Sequence, residues 1–595
     1  MAKSNAWEKI TMDIIKKMNY IFDKSQKIKL IFLLVALFLG AILELVGVSL
    51  IMPLISLISN PEIIQKNKLM NYVYLTFHVH SVDDFFVLLV WAIIILYIVK
   101  NIFLVAMYYA QYSYIYNNQL KVAGKLINCY LKKPYTYHLD NNSSEMVRNI
   151  MLDTERLFQL ILSVLSVISE ALLSLLLGVY LLISDPTMTI TVVLVMLICM
   201  GTYQMIVKKK VNEYGRINQQ YDGKMHQSIN QALGAVKDIK ILHREKYFVN
   251  AFVNCGKKKM KALVNTNFFG QVPKYLIETV CITTIMLVIV FKLRTGTDLS
   301  TILPQLAAFA VAAFKLLPSV GKISNYLNLI NFLRPSIDLI YRDLKETEDV
   351  AHIELVDKGE ELAHEKGISS IKIEKLSYSY PNTHETVLKE VDFEIPLGSS
   401  VGLIGPSGAG KSTMADVILG ILFPKSGQVM YGHMNVHEYP LAWSKKLAYI
   451  PQAIYLADET IRNNVAFGIP EEEINEDKVW AALEEAQLKT FVESLEEGLN
   501  TEVGERGVRL SGGQRQRIGI ARALYGNPEI LVLDEATSAL DNETEKAVME
   551  AIERLHGKKT LIIIAHRLTT IKNCEYVYKV EDGKVFSVKD DEING

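Results

Sequence analysis

Six long apolar segments dominate the first 335 residues, spanning about 30–58, 83–112, 158–183, 189–207, 274–292 and 302–330. Each meets or exceeds the ~20 residues that a helix needs to cross the hydrocarbon core of a bilayer. Hydrocarbon offers a backbone no hydrogen bonds, so segments of this kind can only be spanning helices. They account for a composition that is 50% hydrophobic and only 21% charged. The net charge of −1 carries no basic excess of the sort that nucleic acid attracts. The five cysteines, Cys129, Cys199, Cys255, Cys281 and Cys574, have neither disulfide-framework nor zinc-ligand spacing.

Only Ser184, Asp185 and Pro186 separate the third and fourth segments, which makes a tight hairpin there. The second and fourth instead run into long polar stretches, 113–157 and 208–273, rich in lysines such as Lys132, Lys133, Lys208, Lys209 and Lys210. The positive-inside tendency puts both stretches, and with six spans both chain ends, in the cytoplasm. Their helical periodicity predicts helices continuing beyond the membrane, with short coupling helices near 141–149 and 230–240. Residues 7–26 alternate apolar and basic side chains, as a helix lying on a membrane surface does. No cleavable leader is expected, since residues 1–26 are polar and lysine-rich. The external loop 60–82 carries an aromatic patch that predicts a short helix. The expected division is a surface helix at 1–26, a transmembrane domain at 27–340, a linker at 341–368 and a nucleotide-binding domain at 369–590.

Charges are costly inside a bilayer and face a cavity or a partner. Glu44, Lys100, Glu170, Glu278 and Lys315 lie within the spans, Lys274 lies at a span's edge, and Lys322 follows Lys315 by seven residues. Either they line a polar route or they form structural Lys–Glu pairs.

The second half centres on Gly405–Thr413, GPSGAGKST, entered from the apolar run Val401–Ile404 and followed by a helical pattern. Strand, glycine loop and helix in that order build a phosphate cradle: the loop's N–H groups and the positive end of the helix converge on anionic oxygens. Gly405, Ser407, Gly408, Ala409, Gly410, Lys411, Ser412 and Thr413 are the candidate nucleotide contacts. Lys411 would reach the β- and γ-phosphates and Ser412 would hold Mg²⁺. Tyr380 can stack on a purine ring. Gln452, after the run AYIPQ, can sense Mg²⁺ and attacking water. Ser511, Gly512, Gly513 and Gln514 open a second helix and so a second anion site. ILVLDE (530–535) reads as a buried strand ending in Asp534, which would hold Mg²⁺ through water, and Glu535, which would polarise the attacking water. TLIIIAH (560–566) is another buried strand with His566 at its tip, placed to contact the γ-phosphate.

With the phosphate loop, Gln452, LSGGQ, LVLDE, SALD (538–541) and His566 in this order, the chain resembles the ATP-binding cassette exporters of the half-transporter type. The resemblance covers the whole chain. It implies a multidomain protein: an all-α six-helix transmembrane domain of the exporter fold, followed by an α/β P-loop ATPase domain. In that family LSGGQ closes on the ATP held by the other subunit, so two ATP and Mg²⁺ sites are shared across a dimer. No motif here is degenerate, which points to a homodimer. A narrower resemblance, carried by ELVGVSLIMPLISLIS (44–59), VPKYLIETV (272–280) and FKLLPSVGKI (314–323), is to the branch that flips lipid-linked oligosaccharides across the bacterial cytoplasmic membrane for protein glycosylation. That branch lines its cavity with basic residues, matched by local context at Lys100, Lys274, Lys315 and Lys322. Here they are lysines where arginine is found in the branch, and the bidentate fork is lost. The competing expectations are export of drugs, lipid A-like lipids or peptides, and an ATP-gated channel. Intact Glu535 and His566 count against the channel, and no peptidase-like segment precedes the first span.

Glu535→Gln removes only the water-polarising carboxylate. ATP binding, followed by nucleotide titration, is expected to persist, while steady-state hydrolysis falls about 10²–10⁴-fold. Hydrolysis at the parental rate would refute the assignment.

Overall fold

The computed structural model describes residues 16–50, 72, 74, 76, 81–184, 186–294, 299–348, 367–383, 385–534, 542–565 and 571–588. Residues 1–15 of the surface helix, most of the loop 60–82, most of the linker, SALD, Glu535 and His566 lie outside that set. The backbone of Lys315 is described but its side chain is not. The chain forms two compact units, residues 1–133 with 141–351, and residues 134–140 with 352–595.

The first unit is helical. Its long helices are α1 (Lys24–Ser49), α2 (Val82–Lys132), α5 (Thr154–Ser184), α6 (Pro186–Gly234), α8 (Glu245–Arg294) and α9 (Leu299–Glu348). The segments containing α1, α2, α5, α6 and α8 are long and apolar enough to cross a membrane. At 51 residues, α2 is about 75 Å long, far more than a bilayer needs, so it continues well past the hydrocarbon as its polar sequence requires. Ser81 starts it by accepting from the Asp84 N–H, with Asp83 and Asp84 at the positive end of the helix dipole. The short helix expected near 141–149 is α4 (Ser143–Arg148), followed by a π-helical turn at Asn149–Asp153; ahead of it in sequence a further short helix, α3 (Tyr135–Asp140), belongs to the second unit. The second short helix, α7, is Val236–Leu242. Glycines set the closest approaches: a Cβ on Gly215 of α6 would lie 2.2 Å from the Phe332 carbonyl oxygen of α9, and one on Gly270 of α8 would lie 2.5 Å from Asn325 Oδ1.

Where these helices leave the apolar region, an ionic cluster joins them. Asp153, wholly buried, accepts from Arg148 (3.1 Å), Arg156 (3.3 Å), Gln219 of α6 (3.1 Å) and Ser336 of α9 (2.7 Å). Arg156 also reaches Asp222, which Lys259 of α8 holds at 2.6 Å. Such a cluster is tolerable in a dry interior because every carboxylate oxygen has a donor.

The second unit is α/β. Its larger sheet has six strands in the order β10-β9-β3-β8-β7-β6. These are β3 (Ser400–Ile404), β6 (Leu447–Ile450), β7 (Ile530–Asp534), β8 (Thr560–Ile564), β9 (Tyr576–Glu581) and β10 (Lys584–Val588). All neighbours except β9–β10 are parallel. β3, β7 and β8 are apolar and almost wholly buried, as parallel strands covered on both faces must be. A four-stranded antiparallel sheet, β2-β1-β4-β5, is built from β1 (Ser370–Tyr378), β2 (Leu388–Pro396), β4 (Ser426–Tyr431) and β5 (Met434–Asn435).

Removing Asp153 leaves the buried Arg148 guanidinium without its carboxylate and takes one of two from Arg156, which keeps Asp222. Asp153→Ala is expected to destabilise the protein by about 3–5 kcal/mol, seen as a lowered thermal midpoint, whereas Lys240→Ala, an exposed pair with Glu245, should move it by less than about 1 kcal/mol.

Candidate nucleotide site and the charged residues of the membrane unit

The register of the parallel sheet puts the nucleotide motifs in one row. Leu403 of β3 is paired with Ile564 of β8, Ile564 with Asp534 of β7, and Leu533 with Ile450 of β6. The residues after these strand ends are the phosphate loop (from Gly405), Ala565 before His566, Glu535, and Pro451 with Gln452. Ligands of open α/β sheets bind at such carboxyl ends.

Within the loop, Gly405 has φ +148°, and a Cβ there would lie 2.1 Å from the Val580 carbonyl oxygen, so only glycine fits. Gly408 and Gly410 have φ of +80° and +101°, the left-handed region that turns the loop back on itself. Helix α10 (Lys411–Ile418) begins at once, and its first N–H groups have no intrahelical acceptor. The Lys411 ammonium, buried at 5% exposure, donates to the carbonyls of Gly405 (2.9 Å) and Pro406 (3.0 Å), and so lies across the loop. Tyr380 is brought to the same helix by a 3.0 Å hydrogen bond between its hydroxyl and that of Thr413.

Asp534 ends β7 and accepts a long, 3.5 Å hydrogen bond from Tyr449 of β6. Burial and the nearby Asp534 charge push the Asp416 carboxyl up from 3.8 to about 6. The two carboxylates are close enough to interact, with Asp416 one turn after Ser412 on α10. Neither Asp416 nor Tyr449 is among the motif residues read from sequence. Asp416 was findable, being four residues after Ser412 and hence on its face of α10.

Ser511 is the N-cap of α11 (Gly512–Tyr525), where its hydroxyl accepts from the Gln514 N–H (3.2 Å) while Gln514 Oε1 accepts from the Ser511 N–H (2.8 Å). LSGGQ is thus also a capping box, the Ser-x-x-Gln pattern that sequence alone could have revealed. Arg515 donates to the carbonyls of Gly507 and Leu510 and holds the preceding turn, in which Arg506 adopts a left-handed φ of +54°.

In the membrane unit, Lys100, only 3% exposed, is 3.5 Å from Glu44 of α1 and covers the Tyr97 ring at 4.3 Å. Lys322 of α9 is 2.8 Å from Glu170 of α5. Two of the lysines expected to line a route are thus in Lys–Glu pairs. Lys274 and Lys322 share a cavity of about 540 Å³ with Gln271, Glu278 and Asn325. Lys322 also borders a smaller one, about 270 Å³, with Glu44, Glu170 and Tyr108.

A carboxyl whose pKa is raised on folding favours the folded state most below its unfolded pKa. Stability should therefore fall as pH rises from 3.8 through about 6. In nucleotide-free protein, Asp416→Asn should remove this part of the slope, gaining roughly 1–2 kcal/mol over the parent at pH 7 relative to pH 4. Parallel melting curves at the two pH values check it.

Comparison with known proteins agrees with this arrangement. Residues 30–311 match the family model "ABC transporter transmembrane region" and residues 388–538 match "ABC transporter", together well over half the chain. An ATP-dependent lipid A-core flippase of Cupriavidus pinatubonensis is 27% identical over 468 residues, 78% of each chain. A protein of the same name from Haemophilus ducreyi is 40% identical over 222 residues, which span only 38% of its length. Among solved structures, a bacterial Atm1-family ABC exporter with ATP bound covers 96% of both chains with a TM-score of 0.72, and at 19% identity shows the shared fold. The chain belongs to the ABC transporters, as a multi-pass half-transporter that carries its transmembrane region and its ATP-hydrolysing domain in one polypeptide.

Proposed function

We propose that the protein is an ATP-driven flippase that moves a lipid-linked oligosaccharide, a polyprenyl-diphosphate glycan, across the bacterial cytoplasmic membrane. The observation that carries this reading is the cavity shared by Lys274 and Lys322, two cations beside the amides of Gln271 and Asn325. A diphosphate needs cationic partners where water is scarce, and a glycan needs hydrogen-bonding side chains. The lipid flippase names of its relatives support the broader class. Lys100 and Lys315 complete the set in this reading, Lys100 by exchanging Glu44 for the substrate.

Power comes from two ATP sites in a homodimer with both termini in the cytoplasm. At each, Tyr380 stacks on the base, and Ser407, Gly408, Ala409, Gly410, Lys411 and Thr413 cradle the phosphates. Ser511, Gly512, Gly513 and Gln514 of the second copy close over them. Ser412, Gln452 and Asp534 would hold Mg²⁺, whose chemistry is to neutralise phosphate charge. Glu535 orients the attacking water, and His566 contacts the γ-phosphate. In this role the Lys411 ammonium exchanges the Gly405 and Pro406 carbonyls for phosphate oxygens.

A second reading is export of another amphipathic lipid. The Lys100–Glu44 and Lys322–Glu170 pairs favour it, because they leave less unpaired positive charge for a diphosphate.

Flipping of a labelled lipid-linked oligosaccharide in proteoliposomes, run beside ATPase assays, separates the two. Lys274→Ala/Lys322→Ala should cut flipping at least about ten-fold, since each charge-assisted hydrogen bond contributes about 1.5–3 kcal/mol, and leave basal hydrolysis largely intact. Adding Glu170→Gln, which removes the carboxylate stranded by Lys322→Ala, should not restore flipping. Flipping at the parental rate would refute the diphosphate reading and favour the second.

A further inference from the structure

Pro273 lies inside α8, with helix on both sides of it. It has no N–H, so the carbonyl four residues back, that of Phe269, loses its intrahelical donor, and the ring crowds that carbonyl. Two side chains from other helices take it instead. The Tyr203 hydroxyl of α6 donates to it, and so does Asn328 Nδ2 of α9, at 3.1 Å. Asn328 is only 1% exposed. Side chains of neighbouring helices are one way in which a spanning helix satisfies the backbone groups that a proline frees.

The residues around it weaken α8 at the same level. Gly270 follows Phe269, and glycine lowers the stability of a helix interior. Just before it, the Thr266 hydroxyl donates back to the Ala262 carbonyl (2.9 Å), a bond of the kind that bends helices. Elsewhere α8 is anchored: Lys259, about 21 Å toward its start, holds Asp222 of α6 at 2.6 Å. Helices α6 and α9 are also joined without α8, Gln204 donating to the Ser324 hydroxyl (3.2 Å). The two donors to Phe269 thus stand on a frame of their own. Beyond the proline, α8 borders the cavity of Lys274 and Glu278, and through Cys281 and Ile285 it borders an apolar cavity of about 590 Å³.

We propose that Pro273 makes α8 a hinge, and that Tyr203 and Asn328 are positioning residues that set its bend through the Phe269 carbonyl. With both donors engaged, α8 takes the course seen here. Releasing the carbonyl lets the segment from Lys274 onward swing, which moves Lys274 and Glu278 in one cavity and Cys281 and Ile285 in the other. A transporter needs movement of this kind between its nucleotide states, and a hinge confines it to a few residues. Two side-chain hydrogen bonds are all that must be given up, whereas an intact helical turn bends only by breaking its own backbone ladder. The inference rests on membership of the ABC transporters and not on which lipid is carried.

The test uses the full-length protein in lipid nanodiscs, nucleotide-free and saturated with a non-hydrolysable ATP analogue whose binding is measured on the same samples. Tyr203→Phe/Asn328→Leu should lower the thermal midpoint by about 3–5 °C. In a Pro273→Ala background a backbone N–H again reaches the Phe269 carbonyl, and the same pair of changes should cost about half of that or less. Equal losses in the two backgrounds would overturn the role of the two donors. Deuterium uptake over residues 266–280 reads the hinge. It should differ between the two nucleotide states in the parent, and the difference should vanish in Pro273→Ala with the analogue bound. A difference that persists at its parental size in Pro273→Ala, or that is absent from the parent, would mean that the donors only repair a helix defect, and would overturn the proposal.

Discussion

Where the helices of the first unit cross hydrocarbon, their polar groups get no help from water. Intrahelical hydrogen bonds satisfy the backbone, which is why the unit is nothing but helices among the described residues. For ionised side chains no such internal solution exists, and each must find another charge or a polar cavity. Lys100 finds Glu44, and Lys322 finds Glu170. Neither pair is evidence of net stability: the buried Lys100–Glu44 pair gains little beyond what desolvation cost it, and Lys322 is more than half exposed. They do fix which faces of α1 and α2, and of α5 and α9, look at each other, since a wrong rotation would leave a bare charge in hydrocarbon.

The same requirement reappears, with more charges, where the helices continue past the hydrocarbon. Asp153 lies at the end of the π-helical turn, with partners from α4, α5, α6 and α9. The extra residue of a π-turn shifts the helix register locally, and this is how the carboxylate reaches four donors at once. The cluster then extends through Arg156 and Asp222 to Lys259 on α8. Hydrophobic packing alone would let such long helices slide along one another. Directional ion pairs at one level oppose that sliding.

How much of this could be read in the sequence follows from how local each feature is. The phosphate loop was legible because its chemistry needs contiguous residues, and Gly405, Gly408 and Gly410 are where the backbone angles demand them. The spanning helices were legible for the same reason, apolarity being a run. Their ends were less so. The first spanning helix starts at Lys24, ahead of its apolar run, and the short helices before α5 are two because Pro134 and Asn142 each begin a new one. Strand order was not legible, since β3 pairs with strands about 160 residues later, as Ser400 with Leu561 shows. Nor were the ion pairs, whose members in the α5–α9 case are 152 residues apart. The sequence allowed polar route and structural pair equally for the lysines, and helix rotation decided it for Lys100 and Lys322. Glu535, His566 and the Lys315 side chain stay expectations from the motifs.

The two cavities on either side of α9 show how one helix can serve two solvents. Pro318, Gly321, Lys322 and Asn325 border the polar cavity, while Leu316, Val320, Ile323 and Leu327 border the apolar one. At 100° per residue these two sets are on opposite faces, with Leu317 at the shared edge. Helix α8 contributes to both, Lys274 and Glu278 to the first, Cys281 and Ile285 to the second. An ordinary amphipathic helix divides protein core from water. Here the division is between a charged cavity and a hydrocarbon-like one, both inside the membrane unit. The two walls are kept apart by the body of the helix, so polar and apolar surface are sorted within one unit. Rotation of α9 about its axis would exchange those walls, and the Lys322–Glu170 pair opposes that rotation. The electrostatics of one ion pair and the sorting of polar from apolar surface are therefore a single problem in this protein.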